Sequence, residues 1–233
     1  MSDLAGLAAR LDAVRARIAA AAARAGRSPS DVTLLAVSKG QPVEALRAAL
    51  DAGQLDFGEN YAQELEAKHA ALGPAADGAR FHFIGRLQRN KVAKVIAIAR
   101  VVHAVDRAEL AQEISRRAAA AGLVVRVFAE VNVGGEASKG GCAPAELGAL
   151  LDAMRALPAL EIGGLMTIPP EVDTPEAARP YFAALRALRD AHGGPSALPG
   201  LSMGMSHDFE IAVEEGATIV RVGTAIFGAR APR

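Results

Sequence analysis

The sequence predicts a single closed (β/α)8 barrel, a TIM barrel, over residues 1–233, with an extra helix ahead of the first strand. Three observations carry this. Eight short apolar runs recur along the chain, segments of helical period separate them, and 233 residues is a length that parallel α/β barrels use as one domain. Strand–helix alternation throughout gives a parallel sheet with helical crossovers, and eight units close it. An open doubly wound sheet is the alternative. No linker, low-complexity tract or sequence repeat divides the chain.

The first element is helical. Leu4, Leu7, Leu11, Val14 and Ile18 follow a helical period, and Ser2 or Asp3 suits the cap. Met1 to Arg27 is rich in Ala and Arg, as a targeting leader can be. It lacks an apolar core, and Asp3 and Asp12 interrupt it, so it reads as an amphipathic helix. The candidate strands are 32–37, 55–57, 81–84, 101–105, 124–131, 162–166, 201–203 and 219–222. Several are β-branched and nearly continuous in apolar residues, as strands buried on both faces should be. Helical patterns fill 42–52, 107–121, 144–157 and 175–191. Pro42, Pro144 and Pro175 suit a first helical turn, and Gly53, Gly122 and Gly193 suit helix ends.

Composition narrows the function. There are 26 basic and 26 acidic side chains, so net charge gives no general attraction to nucleic acid or acidic membranes. One cysteine, Cys142, excludes an internal disulfide and a cysteine-based zinc site, and fits a reducing, cytoplasmic setting. No uncharged run approaches the roughly 18 residues that span a bilayer.

In such a barrel the chemistry sits where strands end and the following loops begin. The first strand ends in Ser38-Lys39-Gly40. Of the five lysines, Lys39 alone directly follows a strongly apolar strand. Partial burial there disfavours its charged form, which makes it a candidate Schiff-base amine; a solvated rim lysine is the other reading. The second strand runs into Gly58-Glu59-Asn60-Tyr61, a polar rim or an Asn/Gly turn. His82, in an apolar alternation, points into the barrel or towards the helices, and a satisfied core histidine is the bland reading. The fifth strand leads into a glycine-rich loop with Lys139. Met166 reads as a packing residue.

The last two units are the most informative. Gly204-Met205-Ser206 ends the seventh strand, and Arg221-Val222-Gly223-Thr224 ends the eighth. Phosphate sites of these barrels use these loops, with hydroxyls, close backbone N–H groups and a helix start. Strands one and eight are neighbours in a closed ring. An amine on one and a phosphate cup on the other suit a small phosphorylated aldehyde. Pyridoxal phosphate has that shape.

The chain resembles the pyridoxal phosphate homeostasis protein family, also called the proline synthase co-transcribed homologues. The resemblance rests on Leu35-Ala36-Val37-Ser38-Lys39, Phe57-Gly58-Glu59-Asn60-Tyr61, His82-Phe83-Ile84-Gly85 with Leu87-Gln88 and Asn90-Lys91, Gly164-Leu165-Met166, Ser202 with Gly204-Met205-Ser206, and Val220-Arg221 through Gly228. It implies a fold type III barrel similar to the N-terminal domain of alanine racemase, monomeric or weakly associating. It also implies pyridoxal 5'-phosphate held as an internal aldimine on Lys39. Ser206, Gly223 and Thr224 would bind its phosphate, Arg221 would face the pyridine nitrogen, and Asn60 and Met205 would line the pocket. Met166, His82 and Ser202 come after these, and Lys139 falls in the family's Ser-Lys rim loop. The implied role is to carry or buffer the cofactor, with apo enzymes as possible acceptors.

The sequence departs from the family pattern at Gly40, at Arg86, at Gly140-Gly141, and at His207 and Phe209 beside the phosphate residues. An arginine opposite the ring nitrogen disfavours its protonation and weakens carbanion chemistry. Racemases of this type take their second acid–base from a tyrosine of a further domain. This chain ends at Arg233, and its tyrosines are Tyr61 and Tyr181, the latter in a predicted helix. The expectation is a carrier without strong turnover. A weak racemase or lyase, and a cofactor-free Schiff-base aldolase, are the alternatives.

Overall fold

A computed structural model describes residues 6–136 and 139–229. The chain opens with α1 (Leu7–Arg24), followed by β1 (Thr33–Val37), α2 (Val43–Asp51), β2 (Asp56–Glu59), α3 (Ala62–Leu72), β3 (Arg80–Phe83), α4 (Val92–Ile98) and β4 (Val101–Val105). It continues through α5 (Ala108–Ala120), β5 (Val125–Glu130), α6 (Leu147–Arg155), β6 (Leu160–Met166), α7 (Arg179–Ala191), α8 (Gly194–Ala197), β7 (Gly200–Ser202), α9 (Phe209–Glu214), β8 (Ile219–Val222) and α10 (Thr224–Phe227). The strands pair in chain order, all parallel, and β8 returns to β1 to close the barrel. The (β/α)8 expectation holds, with strand ends within two residues of those read from the sequence.

Pro42 caps α2, whereas Pro144 and Pro175 begin short 3-10 turns that lead into α6 and α7. The proposed helix caps Ser2 and Asp3, with Leu4, lie outside the described residues; Gly6 precedes the first described helix, without a side-chain cap. That helix buries Leu7, Leu11, Val14 and Ile18, the apolar stripe its period predicts, against α2, α9 and α10. It therefore covers the β8–β1 seam, where α9 and α10 alone are too short to do so. Among the described residues no helix is long and apolar enough to cross a membrane.

The main hydrophobic core lies between the helices and the outside of the sheet. The barrel interior differs. Its apolar cluster is small, with Ala104, Phe128 and Met166 at its centre and Val101 and Ile219 against it. Met166 is the packing residue its sequence context suggested. Beside Leu35, paired in register with Arg221, the interior holds polar side chains: His82, His103, Ser202 and Arg221 are all buried. Ordinary barrels of this type fill that space with branched aliphatic side chains.

Two irregularities shape the interior. The β4–β5 register shifts between Val102 and Val105, so alternation breaks and both His103 and Ala104 face inward. The β5–β6 register shifts beside Phe128, where Gly164 adopts φ 137°. A Cβ at Gly164 would stand 1.9 Å from the Gly200 carbonyl oxygen, so no other residue fits this strand crossing.

Candidate cofactor site

The loops after β7 and β8 build one wall at the C-terminal mouth. After β7 the chain turns through Met205 to Asp208 before entering α9. Asp208 is buried, and its carboxylate accepts the Met205 N–H at 2.6 Å, which closes the turn. Burial raises the Asp208 pKa, opposed by its bond to the Met205 N–H and by Arg221 and His207. The closed turn sets Ser206 over the start of α10. Its Oγ accepts the N–H groups of Gly223 (3.2 Å) and Ala225 (3.3 Å). Thr224 opens α10 with its side chain exposed. Gly223 packs flat on the end of β1, where a Cβ would lie 3.1 Å from the Val37 carbonyl oxygen. The wall is thus a hydroxyl and a cluster of backbone N–H groups, a donor set suited to a phosphate.

The facing wall grows from β1. The β1–β8 register pairs Leu35 with Arg221 and Ala36 with Val222, so the chain reaches half-buried Lys39 just beyond the Gly223 contact. The backbone on either side of Lys39 is held by charge. Ser38 Oγ donates to Glu59 Oε1 at 2.7 Å, and the Gly40 N–H donates to Glu64 at 2.5 Å. Lys68 Nζ reaches the Ser38 carbonyl (2.5 Å), Glu59 (2.6 Å) and Glu64 (2.6 Å). Burial pushes the Glu59 carboxyl up, and Lys68 pulls against it. Asn60, next along, has a buried side-chain oxygen with no hydrogen-bond partner. A buried acceptor of this kind awaits a donor.

Arg221 forms the floor. Nη1 donates to Ser202 Oγ (2.9 Å) and Nη2 to the Thr167 carbonyl (2.8 Å). Burial lowers its pKa to about 10, opposed by the carboxylates of Glu130 and Asp208. Beneath it, Ser202 Oγ meets His103 Nδ1 (2.8 Å), and His103 Nε2 meets His82 Nδ1 (2.9 Å). His82 therefore points into the barrel. Glu130, at the end of β5, is pushed up to about 7 by burial and by Asp106, against the pull of Arg221 and Arg86.

Two clefts open at the rim. One, of about 1070 Å³, is lined by Asn60, Tyr61, Arg86, Gln88, Arg89 and Lys91 among others. The other, of about 490 Å³, runs between Lys139, Pro169, Pro170, Met205 and His207. Lys139 donates to the Pro169 carbonyl at 2.5 Å and pairs with Glu136 at 2.9 Å; Ser138 lies outside the described residues. The structure thus gathers Lys39, Asn60, Ser206, Arg221, Gly223 and Thr224 at one mouth. Met205 is 36% exposed and lines the second cleft. The departure at His207 falls on an exposed side chain, while the buried turn-closing acid is Asp208. Sequence reasoning missed Lys68, His103, Glu130 and Asp208. Lys68 had a signal in its i,i+4 spacing from Glu64, and Asp208 in the Ser-x-Asp turn.

An amine, a hydroxyl and N–H cup across one strand seam, an unpartnered buried amide oxygen and a buried cation together fit a small phosphorylated aldehyde. Among the described residues no cluster of three or more metal-binding side chains occurs.

Comparison with known proteins gives the same direction. The sequence model of the alanine racemase N-terminal domain matches residues 9–231. A pyridoxal phosphate homeostasis protein of Aquifex aeolicus is 48% identical over 223 residues, covering 95% of this chain and 97% of that one. A crystal structure of an unknown protein from Bifidobacterium adolescentis superposes with a TM-score of 0.90 at 40% identity, over 97% of each chain. PipY of Synechococcus elongatus, solved with PLP bound, superposes with a TM-score of 0.83 at 36% identity, over 95% of this chain and 100% of that one.

Proposed function

The chain belongs to the alanine racemase N-terminal domain family and, within it, to the pyridoxal phosphate homeostasis proteins, and from this premise we propose that it binds pyridoxal 5'-phosphate through Lys39 and holds it for supply to other proteins, with no strong turnover of its own. One observation carries the reading. The strand end that carries Lys39 and the Ser206–Gly223–Ala225 turn meet across the β1–β8 seam, which supports an amine and an anion site used together.

When bound, the cofactor supplies an aldehyde that condenses with a primary amine and releases water, and a pyridine ring that can act as an electron sink. The residues of this chain set how it is used. Ser206 would turn its hydroxyl to the phosphate, and the N–H groups of Gly223 and Ala225, which donate to its oxygen, would lie beside it with that of Thr224. Asn60 would offer its unpartnered amide oxygen to a donor on the ring, and Met205 would flank the site at the rim. Arg221 sets the character of the site. A buried permanent cation disfavours a second positive charge beside it, so the ring nitrogen stays unprotonated and a poor sink. That favours holding over turning over. Apo enzymes that need the cofactor are the acceptors this reading implies.

A weak racemase or lyase is the second reading. Glu130 favours it, because a carboxyl raised to about 7 exchanges protons near neutrality. The deciding measurement is the absorption spectrum of the purified protein with pyridoxal phosphate, before and after borohydride, with mapping of the modified peptide. The carrier reading expects a reducible visible band trapped on Lys39, and amino acids left unchanged on long incubation. A protein that stays colourless and unmodified overturns it. Steady racemisation that Glu130→Gln abolishes supports the second reading.

A further inference from the structure

A chain of contacts crosses the barrel interior from one mouth to the other. It starts at Arg221 near the C-terminal mouth and passes through Ser202 (2.9 Å), His103 (2.8 Å) and His82 (2.9 Å). It ends at Asp56, whose Oδ1 lies 3.4 Å from His82 Nε2. Arg80 holds that carboxylate with two hydrogen bonds, 2.7 and 2.6 Å. The lower end borders a cavity of about 260 Å³ at the opposite mouth. His103 is fully buried and stacks on Phe128 with ring centroids 4.6 Å apart.

With both imidazoles neutral, the two ends fix the direction of every link. A guanidinium can only donate, and an ionised carboxylate can only accept. Although burial works against it, hydrogen bonds from Arg80 and His82 bring the Asp56 carboxyl down to about 2, so it is ionised near neutrality. His82 must then present Nε2–H to Asp56. Its Nδ1 is bare and accepts Nε2–H from His103. The bare Nδ1 of His103 accepts the hydroxyl proton of Ser202, whose oxygen accepts from Arg221. Each donor has one acceptor, and all point the same way. The opposite polarity would turn a bare Nε2 towards the Asp56 carboxylate and leave the serine proton without a place in the chain. Burial, with His82 and Arg221 nearby, holds the His103 pKa well below the usual range, in keeping with a neutral ring.

We propose that His82, His103 and Ser202 are positioning residues for Arg221, forming a hydrogen-bond chain of fixed polarity that is tied to the Asp56–Arg80 pair and holds the guanidinium in the floor of the cofactor site. The chain is a lock and not a proton wire, because a hop along it would require Arg221 to give up its proton. Its consequence for the cofactor rests on the function proposed above; the tautomer assignment does not.

The test has two arms. Long-range proton–nitrogen NMR of histidine-labelled protein without cofactor reads the ring protons directly. Both His82 and His103 should be Nε2–H tautomers with bare Nδ1. A Nδ1–H tautomer at His103, or a doubly protonated His82 at neutral pH, overturns the proposal. The second arm uses Ser202→Ala, a small change that removes the central link, with Ser202→Thr as rescue. Ser202→Ala should shift the His103 Nδ1 resonance, displace the absorption band of bound pyridoxal phosphate and weaken its binding roughly tenfold, the effect of one lost hydrogen bond. Ser202→Thr should restore all three. An unchanged resonance and unchanged spectrum in Ser202→Ala overturn the proposal. Failure of the unaltered protein to bind pyridoxal phosphate overturns the proposed function and leaves the NMR arm to decide the chain.

Discussion

The two walls of the site do similar work by different physics. On the β1–β2 side, Lys68 binds two carboxylates and a carbonyl, and through them fixes the backbone before and after Lys39. On the β7–β8 side a single hydroxyl and two backbone N–H groups form the cup, and one buried acid closes the turn beneath it. A residue that must bond covalently needs its main chain held still, and buried charge holds it strongly. An anion brings its own charge and needs only donors close at hand. The first wall therefore carries its cost in folding stability, and the second in ligand affinity.

Lys68→Met breaks the first wall and should give the largest effect. It strands Glu59 in the interior, and such losses cost about 3–5 kcal/mol. Denaturant unfolding would read this, and replacing Glu59 by Leu as well should recover much of it. Equal stability of Lys68→Met and the unaltered protein would erase the contrast between the walls.

Glu130 shows what a buried carboxyl does without such a bracing ion pair. Its raised pKa means that the folded chain holds this proton more tightly than the unfolded chain does. The contribution is complete below the ordinary 4.5 and is lost as pH rises through about 7. The loss is roughly 3 kcal/mol across that window. Stability measured at a series of pH values should fall between these limits, and Glu130→Gln should flatten the fall.

Ser206→Ala sharpens the comparison from the other side. Pyridoxal phosphate affinity should drop by about 1–3 kcal/mol, a change of roughly 5- to 150-fold. Unfolding of the cofactor-free protein should move much less than in Lys68→Met. The smallest effect belongs to His207→Asp. The side chain is exposed on the rim, so the change in affinity should stay within about 1 kcal/mol and shrink with added salt.

The barrel was legible because parallel strands covered on both faces read as unbroken apolar runs, and prolines marked where helices begin. The wall after β8 was legible for a related reason. Arg221, Gly223 and Thr224 are neighbours in sequence, so one short motif displays them. The interior was not. His103 sits in Val-Val-His-Ala-Val, which reads as an ordinary buried strand, and nothing in that run tells which face carries the imidazole or that His82 and Ser202 meet it there. Lys68 was equally hidden. Its partners come from β1, β2 and α3, and closure of the fold alone brings them together. Glu130 reads as the end of a strand until the Gly140 backbone is seen lying over it.

The β8–β1 seam joins the last strand to the first, and α1 lies across it on α9 and α10. On a growing polypeptide these partners emerge at opposite ends of synthesis. The first helix must wait, its apolar stripe uncovered, until nearly the whole chain has been made. Contacts of such long sequence separation form slowly. A ligand gripping Lys39 on one side and Ser206 on the other would recognise only barrels whose ends have met. Its occupancy would thus report completed folding, and by mass action would protect the finished molecule from reopening along that line.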